Sequence, residues 1–418
     1  MRFETLPEWL SWQEQLYPDV IDLGLHRVQA LLKALDLTRP DFPILTIGGT
    51  NGKGSSVSLA EAILRASGHK VGAYVSPHLL RYNERVRVDG LDVSDAEFCQ
   101  SFQRIDDARG DLRVTYFEFG TLAAIDILVR RGVSVAVLEV GLGGRLDAVN
   151  ALDADVAIVA SVGLDHQDWL GPDRESIGRE KAGIFRAGRP AVCGDRAPPM
   201  SLVRHATDIG ARFQAIGRDF ERSIQGDAWS WRGQGGEMKD LPAPALPGHI
   251  QYDNAATVIA ALQSCPSLQV PEAAVRQGLQ AARIPARFQR VPGDVETVFD
   301  VGHNPDAANV LSENLLAFPA AGRSFAVLGM FKDKAVEEVA RALSGRFDHW
   351  YLAGLDGPRG QDAAALATRV RYAVPDASLS EFASVNTAYD AAMSAARPGD
   401  RVVVFGSFQT VGAVLKGR

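Results

Sequence analysis

The stretch Ile44-Leu45-Thr46-Ile47-Gly48-Gly49-Thr50-Asn51-Gly52-Lys53-Gly54-Ser55-Ser56 constrains the fold more than any other. A short apolar strand, a glycine-dense turn with one lysine, and a helix start follow one another without a break. That order is how α/β proteins cradle phosphate. Glycines let backbone N–H groups converge on phosphate oxygens, and the helix N-terminus adds partial positive charge. Lys53 is placed to reach the β- and γ-phosphates, and the Ser55 hydroxyl to ligate Mg2+. The spacing departs from G-x-x-x-x-G-K-[ST]: Ile47 stands at the first glycine position, and Gly54 separates the lysine from the serine. A glycine-rich turn with an incidental lysine is the plain alternative. The strand before it and the amphipathic run Val57, Ala60, Ile63, Leu64, stopped by Gly68, favour the nucleotide.

The 418 residues have room for two or three domains. A net charge of −7 leaves no basic field for nucleic acid or an anionic membrane. Cys99, Cys193 and Cys265 share no metal-ligand spacing and read as buried thiols in a reducing compartment. Met1-Arg2-Phe3-Glu4 does not open an apolar signal core, and no apolar run reaches 18 residues. The expectation is a soluble, cytoplasmic protein that acts on small molecules as a monomer.

Along the chain, residues 7–36 read as helical, divided by Pro18 and Gly24. Val71–Val75 is a second strand, followed by Ser76-Pro77-His78 and a basic run, Arg81, Arg85 and Arg87, for which a solvated loop is the plain alternative. Ser94-Asp95-Ala96-Glu97 caps one helix, and Tyr116–Arg131 is another. The strand Val133–Glu139 ends in a carboxylate and runs into Gly141-Leu142-Gly143-Gly144. A strand-end acid beside a phosphate loop suits Mg2+. Strand Asp155–Ser161 delivers Asp165-His166 to the same sheet edge, where open α/β sheets bind ligands. Lys181, in a short helical piece within 178–185, reads by itself as solvated. Residues 211–247, with Trp229 and Trp231, read as hairpin and loop, and 249–262 as a helix with Asn254 on its polar side. Pro285, Pro292 and Gly293 mark a linker at about 287–294. Domains are thus expected at 1–286 and 295–418. The second alternates strands (297–301, 324–329, 349–353, 401–405) with helices, lacks a phosphate loop, and is expected to supply partners to the nucleotide of the first.

Together these blocks resemble the folylpolyglutamate synthase/dihydrofolate synthase family, itself similar to the Mur ligases. The resemblance rests on residues 49–55, Ser76-Pro77-His78, the 138–147 block, Asp165-His166, Arg179-Glu180-Lys181-Ala182-Gly183, the 299–305 block and Phe405-Gly406-Ser407-Phe408. The N-terminal Trp9…Ile21-Asp22-Leu23-Gly24-Leu25…Arg27-Val28 looks like the bacterial members that perform both reactions. Gly48 and Val149 depart from the family's usual Ala and Thr. The resemblance implies a Mur-ligase-like α/β fold: an N-terminal phosphate-loop ATPase domain with a mostly parallel sheet, and a smaller C-terminal Rossmann-like domain.

It implies ATP-dependent addition of L-glutamate to dihydropteroate and to reduced folates through an acyl phosphate. Lys53, Glu139, His166, Lys181 and His303 would serve catalysis. Gly49, Thr50, Asn51, Gly52, Lys53, Gly54, Ser55, Asn254, Arg287 and Asp300 would hold ATP. Of two Mg2+, one would be bound by Ser55, Ser76 and Glu139, the other through His166 and Lys181. A lysine cannot ligate Mg2+ as an ammonium; in this family a CO2-derived carbamate makes it an oxygen ligand. Phe117 and Asp147 would line the pterin pocket, with His303 and Ser407 at glutamate. The competing readings are a member with one of the two activities, a Mur-type ligase of a UDP-sugar peptide, and an ATP-binding regulatory module without turnover. The phosphate loop so near the N-terminus leaves no separate UDP-binding domain, and Ser76, Glu139, His166 and Lys181 are all present.

Overall fold

In the computed structural model, which describes residues 2–16, 22–226 and 228–417, the strand before the phosphate loop runs through the middle of a large sheet. The chain divides into two compact units, residues 1–245 with 252–283, and residues 246–251 with 284–418.

The first unit's sheet comprises Ile44–Gly48 (β1), Val71–Tyr74 (β2), Val86–Val88 (β3), Leu91–Asp92 (β4), Val135–Glu139 (β5), Val156–Val159 (β6), Pro190–Cys193 (β7) and Arg212–Ala215 (β8). Their order is β4-β3-β2-β5-β1-β6-β7-β8, and every pairing from β2 to β8 is parallel. β1 and β5 are buried at all five positions, which is why they read as unbroken apolar runs. The register sets Ile47 beside Glu139 and Gly48 beside Val159. The carboxyl ends of β2, β5, β1 and β6 therefore lie side by side. On one face, Gly72 leaves room for Leu128 of the helix Tyr116–Arg130, whose N-terminus Thr115 and Glu118 close with a capping box. Trp9, Phe98, Phe102 and Phe119 are fully buried in the same apolar cluster.

Glu221–Gln225 (β9), Ala228–Gly233 (β10) and Gly236–Pro242 (β11) form a separate antiparallel sheet in the first unit. In the second unit, Gln289–Val291 (β12), Glu296–Asp300 (β13), Ser324–Leu328 (β14), His349–Ala353 (β15), Leu379–Phe382 (β16) and Arg401–Phe405 (β17) are ordered β12-β13-β17-β14-β15-β16. There β12 alone pairs antiparallel.

Several sequence expectations shift. The N-terminal helical region is two helices, Leu6–Leu16 and His26–Ala34, while Pro18 and Ile21 lie outside the described residues. The basic run is not a solvated loop. Arg87 lies in β3 and donates to Glu61, and the buried Arg85 guanidinium covers the Tyr82 and Tyr116 rings at 5.0 and 5.6 Å. Of the three arginines, Arg81 is exposed. The hairpin region begins with β8, an edge strand of the large sheet, and β16 lies where helices alone were expected. The sequence reading sets a linker at about 287–294, whereas Ala286 is already tied to the second unit: its carbonyl accepts from Val301 N–H (3.0 Å). Cys99, Cys193 and Cys265 are buried free thiols. Among the described residues no helix is long and apolar enough to cross a membrane.

Candidate active site

The phosphate loop is shaped from both sides. Gly52 caps the helix Lys53–Ala66 in the left-handed region, φ 83°, where a side chain would be strained. A Cβ there would also stand 2.8 Å from Asn254 Oδ1. Asn254 lies in the helix Ile250–Gln263 and is buried rather than on an exposed polar side; its amide faces the loop. Opposite, the segment after β6 staples the loop. Thr50 N–H donates to the Ser161 carbonyl (2.8 Å), Asn51 N–H to Ser161 Oγ (3.0 Å), and Thr50 Oγ1 pairs with Gly163. Lys53 Nζ folds back onto the carbonyls of Gly49 (3.0 Å) and Thr50 (3.2 Å). These carbonyls keep the ammonium at the loop, poised for phosphate oxygens. Ser55, after Gly54 in the helix's first turn, is buried. The sequence marks Ser161 only as the end of a strand, although its position at the exit of the strand next to the loop is the signal that points to it.

Glu139, at the end of β5, is buried and accepts from Ser76 N–H at 3.1 Å. This brings the two expected metal residues from adjacent strands β2 and β5 into contact. Beyond Glu139 the glycines are packing requirements. A Cβ on Gly141 would strike the Phe117 ring at 2.5 Å, and one on Gly144 would meet the Glu180 carbonyl at 2.7 Å and Lys181 Cα at 3.0 Å. Phe117 is half-buried, its ring 6.3 Å from that of Tyr74. Asp147 is buried, and both its oxygens accept backbone N–H groups, from Leu142 (2.8 Å) and Val149 (3.0 Å). Burial pushes its pKa up to about 6 against those bonds. In this structure Asp147 shapes the loop beside Phe117.

Lys181 lies in the helix Arg174–Ala182 and is buried, against the solvated reading its charged neighbours suggest. Its own backbone packs against Gly144. Burial first, and the Lys53 charge second, push its pKa down to about 7, while Asp165 and Asp147 oppose the shift. No hydrogen bond or ion pair to its amine is found among the described residues. His166 is half-buried and left-handed at φ 51°, with its backbone N–H on Asp165 Oδ1 (2.9 Å) and its Nε2 4.0 Å from that oxygen. Among the described residues no three His, Cys, Asp or Glu side chains gather as a metal cage. The Ser76–Glu139 pair, with Ser55 in the loop helix, is a donor set that fits Mg2+, which takes one or two protein carboxylates and completes its shell with phosphate oxygens and water. A lysine amine with a pKa of about 7, and so with a substantial neutral fraction near neutrality, also fits carbamate formation, since CO2 reacts with the free amine.

In the second unit, the ends of β13, β17 and β14 again lie side by side. Asp300, at the end of β13, is half-buried, and desolvation raises its pKa against the Arg287 charge. Its oxygens accept from Phe288 N–H (2.9 Å) and Gly302 N–H (2.7 Å). Ala286 and Phe288, on either side of Arg287, are both left-handed at φ 55° and 43°. Asp300 thus helps hold a strained turn whose centre, Arg287, lies over the Phe408 ring at 5.4 Å. His303 Nδ1 lies within hydrogen-bond distance of the Val301 carbonyl (3.0 Å). Ser407 is buried and accepts from Thr410 N–H (2.9 Å) as the N-cap of the helix Phe408–Lys416.

Residues 47–262 match the Mur ligase middle domain, and residues 286–408 match the Mur ligase, glutamate ligase domain. The chain is 45% identical to the dihydrofolate synthase/folylpolyglutamate synthase of Escherichia coli K12, over 98% of this chain and 95% of that one. It superposes on E. coli FolC in complex with DHPP and ADP with a TM-score of 0.94 at 44% identity, covering 99% and 97% of the two chains. A bifunctional folylpolyglutamate synthase/dihydrofolate synthase with Mn, AMPPNP and L-glutamate bound gives a TM-score of 0.91 at 44% identity, over 99% and 98%.

Proposed function

The chain belongs to the dihydrofolate synthase/folylpolyglutamate synthase family of Mur-type ligases, and on that premise we propose that it joins L-glutamate to dihydropteroate and to reduced folates at the expense of ATP. The observation that carries this reading is the gathering of the phosphate loop, Ser76–Glu139 and a buried Lys181 at one edge of one sheet.

The reaction brings together ATP and two carboxylate-bearing substrates, so the site needs positive charge and fixed dipoles more than a nucleophile. The loop N–H groups and Lys53 bind and orient the β- and γ-phosphates. The substrate carboxylate attacks the γ-phosphorus, ADP departs, and an acyl phosphate results. The glutamate amine then attacks the acyl carbon, inorganic phosphate leaves, and the amine's proton is lost to solvent or a base. Ser55, Ser76 and Glu139 would hold one Mg2+, and His166 with carbamylated Lys181 the other. When bound, these ions supply Lewis-acid stabilisation of the charge on the transferring phosphoryl group. Lys181 takes up CO2 as its neutral amine, forming an N–C bond and releasing one proton. Asn254, Arg287 and Asp300 are assigned to nucleotide binding, the last through its hold on the Arg287 turn, and His303 and Ser407 to glutamate. Phe117 and the Asp147 loop are assigned to the pterin.

The test is phosphate release with ATP, Mg2+ and L-glutamate, comparing dihydropteroate with tetrahydrofolate as acceptor. Turnover with both supports the bifunctional reading, and turnover with one restricts it to that branch. Nucleotide binding without acceptor-dependent turnover would refute it.

A further inference from the structure

The antiparallel sheet β9–β11 has no place in the chemistry above, yet it is fastened to one helix at three points. Trp229 of β10 meets Tyr252 edge-on with centroids 5.7 Å apart. Trp231 Nε1–H donates to the Ala256 carbonyl at 3.1 Å. Arg222 of β9 donates to Asp253 Oδ1 at 2.9 Å. All three partners lie in the first two turns of the helix Ile250–Gln263, on either side of Asn254.

Asp253 is the hub of this fastening. Its side chain is mostly buried, and besides Arg222 it accepts from Arg196, at 2.8 Å on Oδ1 and 3.3 Å on Oδ2. Arg196 in turn makes paired bonds to Glu221 of β9, at 3.0 and 2.8 Å. Such forked pairs fix direction as well as distance. Arg196 sits in the loop after β7, and that loop touches the phosphate-loop assembly in two other ways. Asp195 Oδ2 accepts from Val162 N–H (2.9 Å), next to the Ser161 staple, and Gly194 lies so close to Ala160 O and Thr257 Oγ1 that a Cβ would be 2.7 Å from each. Thr257 itself donates to the Asp253 carbonyl at 2.7 Å.

We propose that Asp253, braced by Arg196 and by Arg222 of the β9–β11 sheet, is a positioning residue for nucleotide binding. It fixes the first turn of its helix so that Asn254 faces Gly52. The inference rests on the assignment of Asn254 to the nucleotide. A side chain adjacent in sequence points some 100° away around a helix, so Asp253 can be gripped from outside while Asn254 points inward. The small sheet is then a buttress that keeps a buried amide aimed at the phosphate loop.

The experiment is calorimetric titration of AMPPNP with Mg2+ into the full chain carrying D253N, N254A or both, with thermal melts of each. D253N keeps the shape but cannot satisfy two guanidinium groups. The expected result is that D253N and N254A each weaken binding about three- to tenfold. In the N254A background, D253N should weaken it no further, because its effect passes through Asn254. Any loss of thermal stability from D253N should persist in both backgrounds, which separates positioning from a purely structural role. R196K, which keeps the charge and loses the fork, should fall between wild type and D253N. Unchanged affinity in D253N, or an equal loss with and without Asn254, would overturn the proposal. Failure of the wild type to bind AMPPNP, or wild-type affinity in N254A, would overturn the nucleotide assignment beneath it.

Discussion

Lys181 allows the electrostatics of the site to be tested apart from its chemistry. Its pKa falls from 10.5 to about 7 on folding, because burial disfavours the ammonium and Lys53 repels it. Between about pH 7 and 10.5 the unfolded chain therefore holds a proton on this amine that the folded chain does not. Stability rises with pH across that window as the unfolded state gives the proton up. At about 1.4 kcal/mol for each pH unit, the buried amine costs the folded state about 4 kcal/mol at pH 7 and almost nothing at pH 10.5. Lys181→Met keeps the apolar stem and removes the titrating group. The variant should exceed the wild type by up to about 4 kcal/mol at pH 7, with the advantage vanishing by pH 10.5. The assay is guanidinium unfolding of both proteins at several pH values, in metal-free and CO2-depleted buffer. Turnover should be lost in the same variant, since a thioether cannot form a carbamate. Parallel stability curves, or a variant less stable than wild type at pH 7, would refute the reasoning.

Lys181→Ala should keep its fold and show no turnover at ambient CO2, measured as acceptor-dependent phosphate release; retained turnover would sink the carbamate assignment. Gly52→Ala should cost about 1–2 kcal/mol from its left-handed φ, and should weaken AMPPNP by displacing Asn254. A melt and a titration unchanged from wild type would contradict that geometry. Arg401 is buried at 1% exposure in β17 and pairs with Glu296, so Arg401→Ala should cost about 2–3 kcal/mol in urea unfolding. Asp300→Ala should release the Arg287 turn and raise the KM for ATP more than it changes the KM for glutamate; equal effects on both would place Asp300 elsewhere.

The phosphate loop, Glu139 and the strand that delivers His166 were legible because each is a local pattern: an apolar run that ends in a polar group or glycine. The parallel order followed from strands that alternate with helices. The burial of Arg85 and Arg87 is not legible in the sequence, because it depends on Glu61, Tyr82 and Tyr116, and no spacing rule pairs Arg87 with a glutamate 26 residues earlier. Lys181 misleads for a similar reason. Arg179 and Glu180 make the neighbourhood look wet, while the Lys181 side chain is buried and its backbone packs against Gly144, which comes from another strand's exit. β16 is a four-residue edge strand with no position classed as buried, too short and too polar to stand out. The family resemblance assigns Asp300 and Ser407 to substrate, and in the structure their oxygens serve the backbone around them.

The division of the chain bears on how the protein could be taken apart. Residues 246–251 belong to the second unit although 252–283 return to the first, so the polypeptide passes between the units after Ala245, Gln251 and Arg283. A gene fragment that starts at Ile284 would carry every strand of the second sheet and still be incomplete. It would lack Gly248, whose backbone lies against the buried Asn314 amide, and would leave that amide uncovered. Swapping this unit with that of a relative is accordingly a two-piece graft, and a single protease cut at the proline-rich junction would nick the protein without releasing either half.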